Sequence, residues 1–347
     1  MPDDPSFAAA DLTVFTSRLF QGMGLAAEKS DVVAQVLVEA DLLGHVTHGL
    51  QLANAYLGQI EDGAMATDGE HEVVADRAAA AVWDGRYLPG CWLTQKAVED
   101  AAAKARTYGT GTVAIRRSHH IGCLASYLEA PARDGLMVEI TCTDPSVYAV
   151  PAHGGLTPIF TPDPIGVGIP TAGDPIMIDL SASTTSMGTA RLYQRRGDKL
   201  PGMWLQDAEG NPSNDPDVLD GDNPGNILPT GGHDHGYKGF ALALILETTT
   251  QGLSGLGRID GVTNWGSATQ VRVTDPAFFC GADEFRRQSE HMVELCRTSK
   301  PRDPANPVRL PGQSGLARKA KHVAGGVPIA QPILDNLAPW SEKLNVP

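Results

Sequence analysis

A polar break between two helical hydrophobic patterns constrains the fold of this chain more than any other feature. Apolar residues recur at helical spacing along 30–43 and again along 53–60, and GHVTHG at 44–49 separates the two runs. Glycine at each end of the break favours a helix stop. The sequence predicts two helices, the first capped by Ser30, joined by a short turn that carries a pair of histidines.

His48 lies in this turn, directly after Thr47 and before Gly49. Histidine has the side-chain pKa nearest to neutrality, so an imidazole beside a hydroxyl can donate or accept a proton during a reaction. A packed or capping histidine would fit the same pattern. The turn is therefore a candidate site for acid–base chemistry, with a structural role as the alternative.

Strand patterns dominate the middle of the chain and are bounded by turn residues. The predicted strands are 136–143, 165–170, 176–180 and 269–273. The segment 197–235 is rich in Gly, Pro and Asp and predicts a loop, whereas 238–253 is apolar on nearly every face and predicts a buried helix. Helices interspersed with these strands indicate an α/β fold with a mixed sheet.

The segment GTGTVA at 109–114 matches the glycine spacing of a dinucleotide-binding fingerprint. Such a fingerprint follows a strand and opens a helix, whose N–H groups face the pyrophosphate. Here the glycines follow a predicted surface helix at 94–106 and precede a predicted strand, which is the reverse order. We therefore predict that the chain has no Rossmann domain.

Length and charge restrict the class of protein. A chain of 347 residues, 42% of them hydrophobic, can form two packed sub-domains. A net charge of −14 without a Lys/Arg-rich run argues against nucleic-acid binding, which needs clustered cations. No apolar run could span a bilayer and the acidic start lacks signal-peptide character, so we predict a cytoplasmic protein without membrane contact. Five widely spaced cysteines are typical of reduced thiols.

Further clusters combine histidine, glycine and polar residues in a recognisable order. These segments are THG at 47–49, SHHIG at 118–122, GG at 154–155, TPDP at 161–164, DLSAS at 179–183, KGFAL at 238–242 and PGQ at 311–313. In this order the chain resembles the malate/L-lactate dehydrogenase family of NAD(P)-dependent oxidoreductases, a non-Rossmann family. That family includes ureidoglycolate, L-sulfolactate, diketogulonate and ketimine-reducing enzymes.

The resemblance implies hydride transfer between the nicotinamide of NAD or NADP and C2 of a small 2-hydroxy or 2-oxo acid. It also implies a homodimer with the active site near the subunit interface. The helical, substrate-binding sub-domain would comprise 1–120 and 300–347, and the NAD(P)-binding sub-domain would comprise 121–299. His48 corresponds to the family's proton-donating histidine, and Thr47 corresponds to the serine that orients it.

The resemblance also implies the binding residues. For the substrate these are His120 and Thr161, to which the sequence adds Gln51, because it lies on nearly the same helix face as His48. The implied cofactor contacts are His120, Ile121, Gly122, Ile178, Asp179, Leu180, Ser181, Ala182, Ser183, Lys238, Gly239, Pro311, Gly312 and Gln313.

Two positions depart from the family pattern. Many members carry an arginine four residues after the histidine, where its planar fork can hold the substrate carboxylate, but this chain has Leu52. Further candidates for holding the carboxylate are Arg116, Arg117 and Arg191. Family members also often carry a charged residue shortly after the segment that corresponds to 179–183, where this chain has the uncharged residues 187–189.

Three alternatives remain open. The chain could be a family member that binds a cofactor or another ligand without turnover, or a reductase of a cyclic imino acid. A metal hydrolase could use His45 and His48 together with His233 or Asp234. The chain lacks the His-Glu-x-x-His spacing of such enzymes, so we predict no metal site.

Overall fold

The computed structural model describes residues 4–347. The helices are α1 Ala9–Gly22, α2 Ala27–Leu43, α3 Ala53–Glu61, α4 Gly90–Tyr108, α5 Glu129–Arg133, α6 Met187–Arg196, α7 Gly232–His235, α8 Tyr237–Glu247, α9 Ala282–Thr298, α10 Gln313–Gly325 and α11 Gln331–Leu344. The strands are β1 Ser6–Phe7, β2 Glu72–Arg77, β3 Ala80–Asp84, β4 Thr110–Ser118, β5 Met137–Thr143, β6 Val150–Pro151, β7 Pro158–Phe160, β8 Pro164–Ile169, β9 Ile176–Ser181, β10 Leu205–Gln206, β11 Pro212–Ser213, β12 Asn226–Ile227, β13 Ser267–Thr274 and β14 Val327–Pro328.

Seven strands form the main sheet, in the order β2-β3-β4-β13-β5-β8-β9. Strands β3 and β4 are parallel and are connected through α4, whereas the other neighbouring pairs are antiparallel. Strand β13 comes from late in the chain but lies at the centre, with Thr269 opposite Ile115 of β4 and Cys142 of β5. The mixed sheet confirms the predicted fold class.

The GTGTVA segment lies at the junction of a helix and a strand, as predicted. Helix α4 ends at Tyr108, Gly109 caps it with φ +83°, and β4 begins at Thr110. A strand therefore follows these glycines, so their N–H groups do not form a phosphate-binding helix start. The structure confirms that this segment is not a Rossmann fingerprint.

Two hydrophobic clusters form the interior. The larger cluster joins the N-terminal helices, the sheet and the C-terminal helices, and Leu37, Trp92 and Ile115 are among its fully buried members. The smaller cluster lies within 149–246. The C-terminal helices thus pack with the N-terminal ones, while the predicted sub-domain boundaries near residues 120 and 300 stay a prediction.

Two local predictions are wrong, and one helix is not predicted. Ser30 does not cap α2, which begins at Ala27, and its hydroxyl donates to the Leu25 carbonyl at 3.2 Å. The predicted loop 197–235 contains strands β10, β11 and β12, which form a small sheet with β10 paired to both of the others. Helix α10 has no counterpart among the predicted elements, because only Leu316 on it is buried and its apolar pattern is therefore weak.

Helix α8 is also not the buried helix that its composition predicts. Three of its eleven residues are buried, whereas Leu244 is 47% exposed and Ile245 is 58% exposed. One apolar face of α8 is therefore open in the single chain. Its hydrophobic pattern runs all round the helix although only one side packs against the protein's own core.

The cysteines are free thiols, as predicted. Cys91 and Cys123 are buried, and Cys280 is exposed. Within residues 4–347, no helix has both the length and the hydrophobicity required to cross a bilayer.

Candidate active site

The turn at 44–49 is fixed by its own backbone and by one buried carboxylate. Gly44 ends α2 with φ +88°, and the His48 N–H donates to the His45 carbonyl at 2.8 Å within the first of two 3₁₀ turns. Asp41 accepts the Leu50 N–H at 2.7 Å. Burial raises the pKa of Asp41 to about 7. The turn is thus anchored on both sides of the histidine.

His48 pairs with its neighbouring hydroxyl. The Oγ1 atom of Thr47 lies 2.9 Å from Nδ1 of His48. A hydroxyl can both donate and accept, so this contact suits an imidazole that gains and loses a proton. Burial lowers the pKa of His48, while the negative charge of Asp179 raises it and the nearby His45 lowers it further. Both predicted catalytic residues therefore lie together, with Asp179 as an electrostatic partner.

His120 lies against His48 and is held in one tautomer. The two rings stack with their centroids 6.1 Å apart. The Gly122 N–H donates to Nδ1 of His120 at 3.2 Å, and the Tyr56 hydroxyl lies 2.6 Å from the same atom. Since Nδ1 is an acceptor, Nε2 carries the hydrogen of the neutral ring. Burial lowers the pKa of His120 well below its ordinary value, so the ring stays neutral.

An aromatic wall supports this pair of histidines. Trp265 stacks on His120 with the ring centroids 5.0 Å apart, and it meets Tyr56 and His119 edgewise or tilted. Burial lowers the pKa of His119 to about 4, which makes it a packed residue in this wall. Tyr56 and Trp265 come from distant parts of the chain, and sequence analysis did not identify either as part of the site.

Asp179, a cofactor contact implied by the resemblance, also contacts two residues of the segment 123–125. One of its oxygens accepts the Ala125 N–H at 3.0 Å and lies 3.5 Å from the Cys123 sulfur. Its charge acts on His48, and it also lines a large cleft. Asp179 therefore connects the histidine pair with the cleft.

This cleft has a volume of about 690 Å³ and runs between the edge strand β9 and the start of α10. Ile178 and Leu180 line it on the β9 side, and Pro311 and Gly312 line it on the α10 side. Gly312 has φ +85°, and a Cβ there would lie 2.7 to 3.1 Å from atoms of Met177 on β9. The glycine thus allows the two walls to meet, because no side chain would fit between them.

The same cleft carries positive charge. Arg309 and Arg318 line it, together with Ser314 and Gly315 in the first turn of α10. The Arg309 side chain donates to Ser314 Oγ at 2.9 Å, and Arg318 donates to the Leu43 carbonyl at 2.6 Å. Arginines beside a helix N-terminus favour an anion such as a nucleotide phosphate. The cleft therefore fits the predicted cofactor.

The loop at 181–183 packs against the start of α8. The Thr230 hydroxyl lies 2.9 Å from the carbonyls of both Ser181 and Ser183. A Cβ on Gly239 would collide with the Ala182 carbonyl and with the Thr230 backbone. The predicted cofactor-binding segments 181–183 and 238–239 are far apart in sequence but are thus in direct contact.

Three predicted binding residues, Lys238, Gln313 and Gln51, do not line this cleft. Lys238 is exposed at the start of α8, and Gln313 caps the turn before α10 by accepting the Leu310 N–H at 3.1 Å. Gln51 is half-buried in the second 3₁₀ turn, while the adjacent Leu52 packs against the larger hydrophobic cluster.

Thr161 belongs to a buried polar network. Its hydroxyl donates to Asp163 at 2.5 Å and contacts the Thr143 hydroxyl at 3.1 Å. Thr143 in turn donates to Glu247, which pairs with Arg258 at 2.7 Å. Burial raises the pKa of Asp163 to about 7, and the charge of Glu247 raises it as well.

We expect Asp163→Asn to stabilise the protein more at pH 8 than at pH 5. The folded pKa of Asp163 is about 7 against 3.8 for the free group, so stability decreases as pH rises through this interval. At about 1.4 kcal/mol per pKa unit, the advantage of the variant should grow by roughly 2 to 3 kcal/mol between these pH values. Urea unfolding at both pH values measures it, with Asp222→Asn as an exposed control. An advantage that is constant or larger at pH 5 would contradict the expectation.

The arginines proposed to hold a substrate carboxylate are already paired. Arg116 and Arg117 both bind the buried Asp84, at 3.0 and 2.5 Å. Arg191 binds Asp220 at 2.6 Å. Each guanidinium is therefore engaged with a carboxylate of its own chain, and the structure gives no support to these three as free substrate ligands.

The uncharged segment 187–189 does lie at the site. A Cβ on Gly188 of α6 would be 3.7 Å from the Cβ of Thr47. Thr189 is part of the N-terminal cap of α6, where its N–H donates to Ser186 Oγ at 3.1 Å.

The metal-hydrolase alternative finds no support in residues 4–347. The group of side chains close enough there to share an ion is His45, Cys123 and Asp179, and it excludes His48, His233 and Asp234.

Comparison with known proteins agrees with this architecture. The family model described as malate/L-lactate dehydrogenase matches residues 7–338. L-sulfolactate dehydrogenase of Methanothermobacter thermautotrophicus is 28% identical over 336 residues, with 94% of each chain covered. The Delta(1)-pyrroline-2-carboxylate/Delta(1)-piperideine-2-carboxylate reductase of Pseudomonas syringae pv. tomato is 32% identical, with 92% of each covered. The crystal structure of malate dehydrogenase from Entamoeba histolytica has the same fold, with a TM-score of 0.93 at 22% identity and 99% coverage of each chain.

The mixed sheet, which lacks a Rossmann fingerprint, and the family match together define a non-Rossmann oxidoreductase. The chain belongs to the malate/L-lactate dehydrogenase family.

Proposed function

We propose that this protein is an NAD(P)-dependent oxidoreductase that interconverts a small 2-oxo acid and its 2-hydroxy acid, with His48 as the proton donor and acceptor. The observation that carries the proposal is the position of His45, whose carbonyl accepts the His48 N–H at 2.8 Å while the residue lines the cleft. One residue thereby links a proton-transfer group with a site that suits a nucleotide.

The cleft residues would hold the cofactor. Gly312 and Pro311 would contact it from the α10 side, Ile178 to Leu180 from β9, and Arg309 with Arg318 would face its phosphates. A bound nicotinamide supplies a hydride to the substrate carbon, or accepts one from it. The choice between NAD and NADP depends on the group near the ribose 2′ position, and both fit the positive charge of the cleft.

His48 handles the proton. In reduction its ring would donate a proton to the substrate oxygen, and in oxidation the neutral ring would accept it. Thr47 would orient the ring through the 2.9 Å contact at Nδ1, which directs Nε2 towards the substrate. His120 would offer its Nε2 hydrogen to the substrate as a second, neutral donor, because Gly122 and Tyr56 occupy Nδ1.

The substrate side of the site favours a ligand that is less anionic than a dicarboxylate. Leu52 replaces a carboxylate-binding arginine, and the aromatic wall of Trp265, Tyr56 and His120 presents apolar faces. Gln51 would offer an amide donor in place of the guanidinium. Reduction of a cyclic imino acid is therefore the second candidate activity, and it uses the same proton and hydride donors.

The open face of α8 supports a homodimer. Leu244 and Ile245 are exposed there, and Ile259 nearby in sequence is 98% exposed. Apolar patches of this kind are generally covered by a partner. We propose that a second copy covers α8 and that the protein is cytoplasmic. The sub-domain 121–299 would supply the β9 wall of the cofactor cleft, and 300–347 would supply the α10 wall.

A substrate panel with both reduced cofactors tests the function. We expect NADH or NADPH to be oxidised in the presence of at least one 2-oxo acid or cyclic imino acid, and Gln51→Ala to raise KM for the preferred substrate with little change in kcat. Cofactor binding by fluorescence without oxidation of any panel member would favour a binding protein instead. An unchanged KM for the variant would remove Gln51 from the substrate site.

A further inference from the structure

The cluster of His45, Cys123 and Asp179 brings three different metal-binding side chains together beside the cleft. One nitrogen, one sulfur and one oxygen atom of these side chains all lie within 4.8 Å of one another. Imidazole, thiolate and carboxylate form the donor set that zinc and cobalt prefer in tetrahedral sites. None of the three side chains forms an ion pair with a lysine or arginine of residues 4–347.

The Cys123–Asp179 spacing matches a tetrahedral ion. Around such an ion, a sulfur at about 2.3 Å and a carboxylate oxygen at about 2.0 Å lie about 3.5 Å apart. The Cys123 thiol donates a hydrogen bond to an Asp179 oxygen over 3.5 Å, so loss of the thiol proton would leave the two atoms at this spacing. The His45 nitrogen needs to approach by on the order of 1 Å, which a rotation of its side chain can supply.

The surroundings also meet the other requirements of a metal site. The Ala125 N–H donates at 3.0 Å to the same Asp179 oxygen that faces Cys123, and it thereby fixes that oxygen beside the sulfur. Cys123 is 3% exposed, while His45 and Asp179 line the cleft, so an ion has an entry path and room for a water as the fourth ligand.

We propose that His45, Cys123 and Asp179 form an inhibitory binding site for a thiophilic divalent cation, with zinc as the expected ion. On binding, the Cys123 S–H bond breaks, the thiolate bonds to the metal, and one proton leaves to solvent, so no electrons are transferred. The bound ion cancels the charge that Asp179 exerts on His48 and occupies the wall of the cleft. Inhibition rests on the proposed function, whereas the binding itself does not.

Cobalt(II) provides the direct test, because a thiolate-bound cobalt ion absorbs in the near ultraviolet through sulfur-to-metal charge transfer. Protein freed of metal with a chelator is titrated with cobalt, and then with zinc. We expect one cobalt per chain, the charge-transfer band, and its loss when zinc displaces cobalt. No stoichiometric binding, or binding without the band, would overturn the site.

Matched variants test whether Cys123 provides the sulfur that binds the metal. Loss of an outer partner alone weakens metal sites about 10- to 100-fold, so Cys123→Ser should weaken binding by more than about 100-fold and abolish the band. Cys280→Ser removes an exposed thiol instead and should leave both unchanged. A band that persists in Cys123→Ser, or disappears in Cys280→Ser, would contradict the assignment. His45→Gln provides a second test if Cys123→Ser does not fold, and full affinity in it would also contradict the site.

Inhibition of the enzyme is tested separately from metal binding. Zinc should inhibit turnover of the wild type and of Cys280→Ser, but not that of Cys123→Ser, at the same metal concentration. Zinc that binds at the site without inhibiting would overturn the inhibitory role. If the protein has no dehydrogenase activity but still gives the cobalt band, the proposed function is contradicted and the proposed metal site is supported.

Discussion

His48→Ala should lower kcat by about 10² to 10⁴-fold, because the reaction loses its positioned proton donor. His48 is the ring that contacts the Thr47 hydroxyl and experiences the charge of Asp179. It does not line the cleft, so we expect reduced cofactor to bind the variant with nearly wild-type affinity. Steady-state kinetics in both directions and a cofactor fluorescence titration measure the two effects separately.

Two companion variants refine this expectation. Thr47→Ser keeps the hydroxyl and should retain most of the turnover, whereas Thr47→Val keeps the shape but removes the contact at Nδ1 and should lower kcat further. Near-wild-type turnover of His48→Ala, or equal losses in the two threonine variants, would contradict the proton-transfer role that we assign to this pair.

The second large effect is expected at Gly312, in the wall of the cleft. Gly312→Ala should weaken cofactor binding about 10- to 100-fold, because the new Cβ would lie 2.7 to 3.1 Å from Met177 and push the two walls apart. Overpacking of this kind costs about 1 to 3 kcal/mol of folding stability, and moving β9 and α10 apart relieves it. The displaced walls would then contact the cofactor less closely, which lowers its affinity. Titration with NADH and NADPH measures it.

Gly24→Ala is the matched control. Gly24 has φ +91°, close to the +85° of Gly312, but a Cβ there would meet nothing within 4 Å. Both variants therefore introduce the same backbone strain, while only Gly312→Ala adds the collision. Equal cofactor affinities in the two variants would show that the close approach of β9 and α10 does not form the cofactor site.

The parts of the fold that sequence analysis predicts correctly are those whose signal is local. The helices around His48 follow from periodic apolar residues and flanking glycines, and β4 follows from the position of Gly109 after α4. The prediction that α8 is buried is wrong for a physical reason. A helix face that a second protein covers is as apolar in sequence as a face that the chain's own core covers. Composition records that a face is apolar but not what covers it.

The site residues also divide into those that a local motif predicts and those that only the fold brings together. His48 and Thr47 are adjacent in sequence, and a short motif is sufficient to pair them. Tyr56 resembles an ordinary core residue of α3 until the fold brings it to His120, 64 positions later. Asp179 is brought to Cys123 and Ala125 only through the pairing of β8 with β9, 54 or more positions along the chain. Contacts that depend on sheet topology cannot be derived from spacing along the chain.

We infer that this chain brings a proton donor and a bound hydride donor to the two ends of one substrate C=O or C=N bond. Reduction of the preferred substrate by cofactor that carries deuterium at both C4 positions of the nicotinamide tests it directly, with mass spectrometry and NMR of the product. We expect one deuterium at C2 of the product per turnover, at a rate that His48→Ala lowers about 10² to 10⁴-fold without changing where the deuterium is found. Product without deuterium, or labelled equally fast by the His48 variant, would contradict the account.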